Sequence, residues 1–186
     1  PDVLEIELPV LDVRPGAVLL AASPVFPGGG GQLMDRARIA WSGGEADVAQ
    51  VEIEPRGVWH AAAGSETASG MARVTVDPGF RALMCELHTV AHVVNALVFQ
   101  RFEGALLTGA QLSPDQTLRI DFDLPGVESE RVRALEAPIN EALRQDFAVS
   151  DADMVWEAAE AVPGLFRAKS AAPPRGVDGM VRIVAI

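Results

Sequence analysis

Residues 85 to 92 read CELHTVAH. Two of the chain's three histidines, His88 and His92, stand four residues apart in this stretch, and its only cysteine, Cys85, stands three residues before them. On a helix, positions i and i+4 share a face with Cβ atoms about 5–6 Å apart, so both imidazoles reach one metal ion. Zinc takes nitrogen or sulfur ligands at about 2.0–2.3 Å, usually four in a tetrahedral array. The pair supplies half of that set. On these residues alone the alternative is a packed helix whose histidines are satisfied by hydrogen bonds. The metalloprotease pattern H-E-x-x-H is absent, because Thr89 stands where its glutamate base belongs. Cys85 lies seven residues before His92, about 10 Å along a helix axis, and reads better as a buried structural thiol than as a third ligand. His60, in GVWH, is either a half-exposed strand histidine or a residue facing the same site.

The second stretch with chemistry in it is FPGGGGQLMDRARI. Four successive glycines permit positive φ and close approach of the backbone to a ligand. The P-loop Lys-Ser/Thr and the G-x-G-x-x-G spacing are both missing, so nucleotide-binding fingerprints are excluded. Gln32, Asp35 and Arg36 follow the glycines. Gln32 offers hydrogen bonds without titrating. No Ser-His-Asp set is evident, and Cys85 has no obvious basic partner that would make it a thiolate, which argues against covalent catalysis.

These residues need elements to position them. Up to about residue 77 the chain reads as short strands, namely LEIELPVLDV, GAVLLAA, RARIAW, DVAQVEIEP, GVWHAA and MARVTVD. Their spacing predicts a small barrel or sandwich. VDPGF then marks a turn. From Phe80 to about Glu103 there is no Pro or Gly, and apolar residues recur at three and four, which predicts one long, largely buried helix closed by Gly104. ALLTGAQL and TLRIDFDL predict a hairpin around SPDQ, with Ile120 and Phe122 on one side and Asp121 and Asp123 on the other. VESERVRALEAPINEALRQDF predicts a single amphipathic helix starting near Glu128 or Ser129. DFAVSDADMV predicts a strand and turn, DADMVWEAAEAV a short helix, and GMVRIVAI a final strand of interior character.

Composition narrows the classes. The net charge of −11 opposes non-specific binding to nucleic acid. The basic residues Arg167, Lys169, Arg175 and Arg182 nevertheless gather near the C terminus against only Asp178. One cysteine excludes an internal disulfide and an all-cysteine zinc site, and fits a reducing cytoplasm. No apolar run reaches the roughly 20 residues of a membrane span, and no basic segment followed by an apolar stretch opens the chain, so neither a membrane partner nor a signal peptide is expected.

Taken in order, FPGGGGQLMDRARI, FRALMCELHTVAH, LRIDFD and VRIVAI resemble the alanyl-tRNA editing proteins, the free-standing AlaX group related to the editing domain of alanyl-tRNA synthetase. The resemblance covers nearly the whole chain. It implies an α+β fold, with a small N-terminal β-barrel carrying the Gly-rich loop at residues 1–78 and an α+β editing domain, like that of threonyl- and alanyl-tRNA synthetases, at 79–186. It implies a zinc-dependent hydrolase that cleaves serine or glycine from alanine tRNA. His88 and His92 match the two helix zinc ligands, and Gln32, with Gly30 and Gly31, matches the loop that reaches the catalytic pocket. Thr108 falls in the hairpin region lining the amino-acid pocket. Such proteins complete the zinc site with a Cys and a His shortly after the strand matched by VRIVAI, and this sequence stops at Ile186. The resemblance thus implies a C-terminally incomplete chain, or one that has lost half its ligands. Two other readings stay open, a metal-free binder of aminoacyl-tRNA or RNA, and a metal-dependent hydrolase of another aminoacyl ester, including that of a non-proteinogenic amino acid. Arg36, Arg167, Lys169 and Arg175 are candidate tRNA contacts.

Overall fold

The computed structural model describes residues 2–169, 176 and 178–186. Pro1 and Arg175 lie outside the described residues. The chain forms two compact units, one of residues up to Glu86 together with Leu112–Thr117, the other of Leu87–Gln111 and Leu118–Ile186.

The first unit holds β1 (Glu5–Pro9), β2 (Asp12–Arg14), β3 (Ala17–Leu20), β4 (Ala37–Trp41), β5 (Gly44–Asp47), β6 (Gln50–Glu54), β7 (Gly57–Ala61) and β8 (Met71–Val76). They make two four-stranded sheets of order β1-β8-β4-β5 and β2-β3-β7-β6. β8 shows the period-two logic of a half-buried strand, with Ala72, Val74 and Val76 buried and Met71, Arg73 and Thr75 exposed. Val74 sits opposite Ile6 on one side and Ile39 on the other. These residues share one core with Val18, Leu20 and Val51 of the second sheet. Of the expected barrel or sandwich, the described residues show two open four-stranded sheets sharing one core, and no sheet among them closes on itself. The stretch DVAQVEIEP, expected as one strand, divides where it changes sheets. Val48 donates its amide to Ala37 at 2.9 Å, and Ala49 donates to Ala61 at 2.8 Å. At the β6–β7 turn Gly57 has φ +150°, and a Cβ there would stand 2.2 Å from the Leu20 carbonyl oxygen. Only glycine fits.

α1 (Pro78–Arg101) is 24 residues long. Asp77, just before it, accepts the Phe80 amide at 3.0 Å, an N-cap followed by proline at the first helical position, where its missing N–H costs nothing. The helix is less buried than its periodicity predicts. Phe80, Arg81, Met84, Leu87 and Val98 are buried, while most of its other residues are half-exposed. It also corrects the membrane-length estimate. By length and composition α1 is apolar enough to cross a bilayer, with a mean hydropathy of 1.5 over an 18-residue window. A scan for uninterrupted apolar runs misses it because Glu86 and the histidines punctuate the run.

The second unit contains β9 (Leu107–Leu112) but for its last residue, its two-stranded partner β10 (Leu118–Phe122), the helices α2 (Ser129–Arg133) and α3 (Glu136–Arg144), β11 (Ser150–Val155), the short α4 (Trp156–Glu160) and β12 (Met180–Ala185). Its core gathers Val94, Val98, Phe102, Ala105, Phe122, Leu124, Leu135 and Ile139. The single helix expected over 127–147 is broken between α2 and α3, because Pro138 cannot donate to the carbonyl of Ala134 and its ring crowds that position. β12 pairs with β11 in an antiparallel two-stranded sheet, with Met154 opposite Val181. Among the described residues it is an edge strand rather than the interior strand its sequence suggests.

Candidate functional site

The glycine loop sits in the first unit. Gly28, Gly29, Gly30 and Gly31 all have positive φ. Gly29 and Gln32 exchange amide–carbonyl hydrogen bonds at 3.0 Å each way, and the Leu112 amide donates to the Gly31 carbonyl at 2.8 Å. Gln32 is half-buried and Gly30 is exposed. The run is thus a defined turn that presents Gln32.

An ion pair buried below the loop fixes both of its ends. Asp35 is fully buried. Its carboxylate accepts the Phe26 amide at 2.6 Å and the Nε of Arg81 at 3.0 and 3.2 Å. A terminal nitrogen of Arg81 also donates to Asp35, and to the Pro24 carbonyl at 2.7 Å. Hydrogen bonding to Asp35 raises the Arg81 pKa further above its usual range. Pro24, Phe26 and Asp35, which bracket the glycines, are so tied to the first turn of α1. The sequence holds a signal for this pair, a lone arginine among the buried positions of an apolar helix, since a buried charge requires a counter-charge.

His60 is fully buried, not half-exposed. It lies opposite Val18 and Val51 in the middle of its sheet. Its Nε2 is 2.8 Å from Ser23 Oγ, and Nδ1 has no partner meeting hydrogen-bond geometry. Burial lowers its pKa.

In the second unit the rings of His88 and His92 stack on one face of α1, with centroids 4.9 Å apart and planes 15° apart. His88 is half-buried. His92 retains exposed surface, yet protein packed about each ring is the leading cause that lowers both pKa values below 6.5. His88 and Arg167 lower that of His92 further. Both imidazoles are therefore neutral at pH 7, the form that ligates metals. Among the described residues no group of three His, Cys, Asp or Glu side chains gathers to hold an ion. The donor chemistry fits half of a zinc shell and leaves the other half unassigned. Cys85 is a half-buried thiol and Thr89 is half-buried. Asn95 continues the His88–His92 face one turn on, and its Oδ1 is buried without a donor. Thr108 lies exposed on β9. A cleft of about 660 Å³ lined by Val94, Val98, Phe102, Ile120 and Phe122 opens beside a different stripe of α1 and includes neither histidine.

No protein-family model matches the chain. Over 175 residues, 92% of the chain, it is 29% identical to the alanyl-tRNA editing protein AlaX-M of Saccharolobus solfataricus, covering 72% of that protein. This chain resembles the alanyl-tRNA editing proteins. It is also 31% identical over 149 residues to the alanine–tRNA ligase of Kineococcus radiotolerans, and 26% identical over its whole length to that of Korarchaeum cryptofilum. It spans only 17% and 21% of those two ligases. The likeness to the Korarchaeum cryptofilum ligase runs the whole length of the chain and so includes the glycine loop and the histidine helix.

Proposed function

We propose that this protein is an aminoacyl-tRNA deacylase that removes serine or glycine from alanine tRNA, with zinc as cofactor. The observation that carries the reading is the similarity to an alanyl-tRNA editing protein along 92% of the chain. The neutral, stacked histidine pair supports it from the chemistry. An aminoacyl ester is already activated, so its hydrolysis needs a positioned water and modest charge stabilisation. Zinc, when bound, lowers the pKa of water toward about 7 or holds the ester in place. In this reading His88 and His92 supply two of its nitrogen ligands. Gln32, carried on the backbone of Gly30 and Gly31, hydrogen-bonds water or substrate without exchanging a net proton. Thr108 accepts or donates to a seryl hydroxyl, a discrimination that an apolar synthetase pocket makes poorly. An enzyme of translation fidelity works where charged tRNA is found, in the cytoplasm.

The test is metal content and deacylation on the full-length protein. About one zinc per chain is expected, lost in His88→Ala and in His92→Ala together with hydrolysis of seryl-tRNA. Folded protein that binds aminoacyl-tRNA without zinc and without hydrolysis is instead a metal-free binder. Hydrolysis of small aminoacyl esters that intact tRNA does not inhibit identifies a hydrolase of another ester.

A further inference from the structure

Arg167 is held at three points in the second unit. Its guanidinium lies over the ring of Phe99, 5.3 Å from the centroid. Its Nε donates to the Gly164 carbonyl at 2.8 Å. Its backbone is joined to the start of β9, where Leu107 donates to the Arg167 carbonyl at 2.9 Å and receives the Lys169 amide at 2.8 Å. Gly164 closes the arrangement. Its φ is +71°, and a Cβ there would stand 2.9 Å from the Phe99 ring, so a side chain at that position displaces the aromatic floor on which the guanidinium rests.

This fixed cation borders the histidine face. Positions 88, 92, 95 and 99 follow one another at four, three and four residues, so they form one stripe along α1. Arg167 covers the Phe99 end of that stripe, and its charge is felt at His92. No carboxylate lies within ion-pairing distance of it among the described residues, whereas the nearby Lys169 is neutralised by Asp123 at 2.5 Å. A guanidinium carries five N–H donors. One is used here, and the rest are presented as the fork that matches phosphate or carboxylate bidentately.

We propose that Arg167 anchors a phosphodiester at the 3′ end of an RNA substrate, beside the His88–His92 face. The identity of the RNA rests on the deacylase reading. The choice of phosphate over carboxylate follows from the substrate's own charges. In an aminoacyl ester the carboxyl group is esterified and neutral and the amino group is positive. The anion nearest the reacting ester is therefore the phosphodiester preceding the terminal nucleoside. A chain of net charge −11 repels RNA at long range, so engagement depends on a few prepositioned cations such as this one.

Arg167→Met keeps the stem over Phe99 and removes the charge. It is compared with wild type on two substrates, seryl-tRNA and the seryl ester of adenosine, which has no phosphate. The loss of kcat/KM for seryl-tRNA is expected to exceed the loss for the adenosine ester by about tenfold, the size of one charge-assisted hydrogen bond. The salt dependence of the tRNA reaction should flatten by about 0.7 in log–log slope, and Arg167→Lys should recover part of both. Equal losses on the two substrates, or an unchanged salt slope, overturn the anchor and leave Arg167 a packing residue. Binding of an uncharged acceptor-stem RNA ending in CCA is measured in parallel. If wild type hydrolyses neither ester yet Arg167→Met weakens this binding about tenfold, the anchor stands and the deacylase reading falls. If the two proteins bind that RNA equally, the anchor is overturned.

Discussion

Asp35 and Arg81 are the residues on which the geometry of the glycine loop depends most. Both are buried, and between them they tie Pro24 and Phe26, on one side of the glycines, to the first turn of α1. Taking two charges out of water costs several kcal/mol per ion, recovered only through close pairing and satisfied hydrogen bonds. The pair is therefore weak evidence of net stabilisation, and what its geometry shows is a tie between the loop and α1. Asp35→Asn keeps the shape and removes the counter-charge, leaving the guanidinium of Arg81 buried and uncompensated. Chemical denaturation should show a loss of about 3–5 kcal/mol. A loss below about 1 kcal/mol, the scale of an exposed pair, would mean that water already reaches Arg81.

At the scale of elements, the four glycines are not equivalent. Gly30 has φ +61° with open space where a Cβ would go, whereas at Gly28, φ +88°, a Cβ would approach the Met34 amide nitrogen at 3.1 Å. Gly30→Ala carries only the left-handed backbone cost of roughly 1–2 kcal/mol, and Gly28→Ala adds a backbone clash. Melting temperatures should rank wild type above Gly30→Ala above Gly28→Ala, and the reverse order of the two variants would refute this view of the loop. The glycine run announced its turn in sequence because glycine takes positive φ at no steric cost. Strand β8 was legible for a similar local reason, an unbroken period of two, whereas Pro78 and Gly79, expected in a turn before a helix from Phe80, are the first residues of α1. What escaped was non-local. Closure of the first unit into a barrel or an open sandwich depends on which strands share edges, and periodicity is silent on that. The division of 127–147 into α2 and α3 turned on Pro138 alone, outvoted by an otherwise continuous amphipathic pattern. The histidine pair was plain from its spacing, whereas Arg167 on Phe99 joins residues 68 positions apart and left no periodic trace.

The response of the whole molecule to acid follows from its histidines. His60, His88 and His92 all have folded-state pKa values below the ordinary 6.5, with burial the first cause in each. An unfolded chain takes up protons at these rings near pH 6.5, while the folded chain takes them up only at lower pH. The unfolded state thus binds more protons in that window, and stability falls as pH drops from 6.5 toward the folded values. Relief of the negative charge opposes this, because the net charge of −11 shrinks as carboxylates protonate. That relief comes later, since carboxylates with ordinary pKa values near 4 remain ionised above about pH 5.5. Between pH 7.5 and 5.5 the imidazoles therefore dominate, and the melting temperature should fall. Each unit of depression at the fully buried His60 removes about 1.4 kcal/mol once both states are protonated. His60→Gln lowers stability at every pH by disturbing the core, so the informative quantity is its slope, which should be shallower than that of wild type over the same interval. Thermal unfolding at pH 7.5, 6.5 and 5.5 decides the matter. A flat wild-type profile, or an undiminished slope in His60→Gln, would show that the buried imidazole reaches solvent and protonates in place.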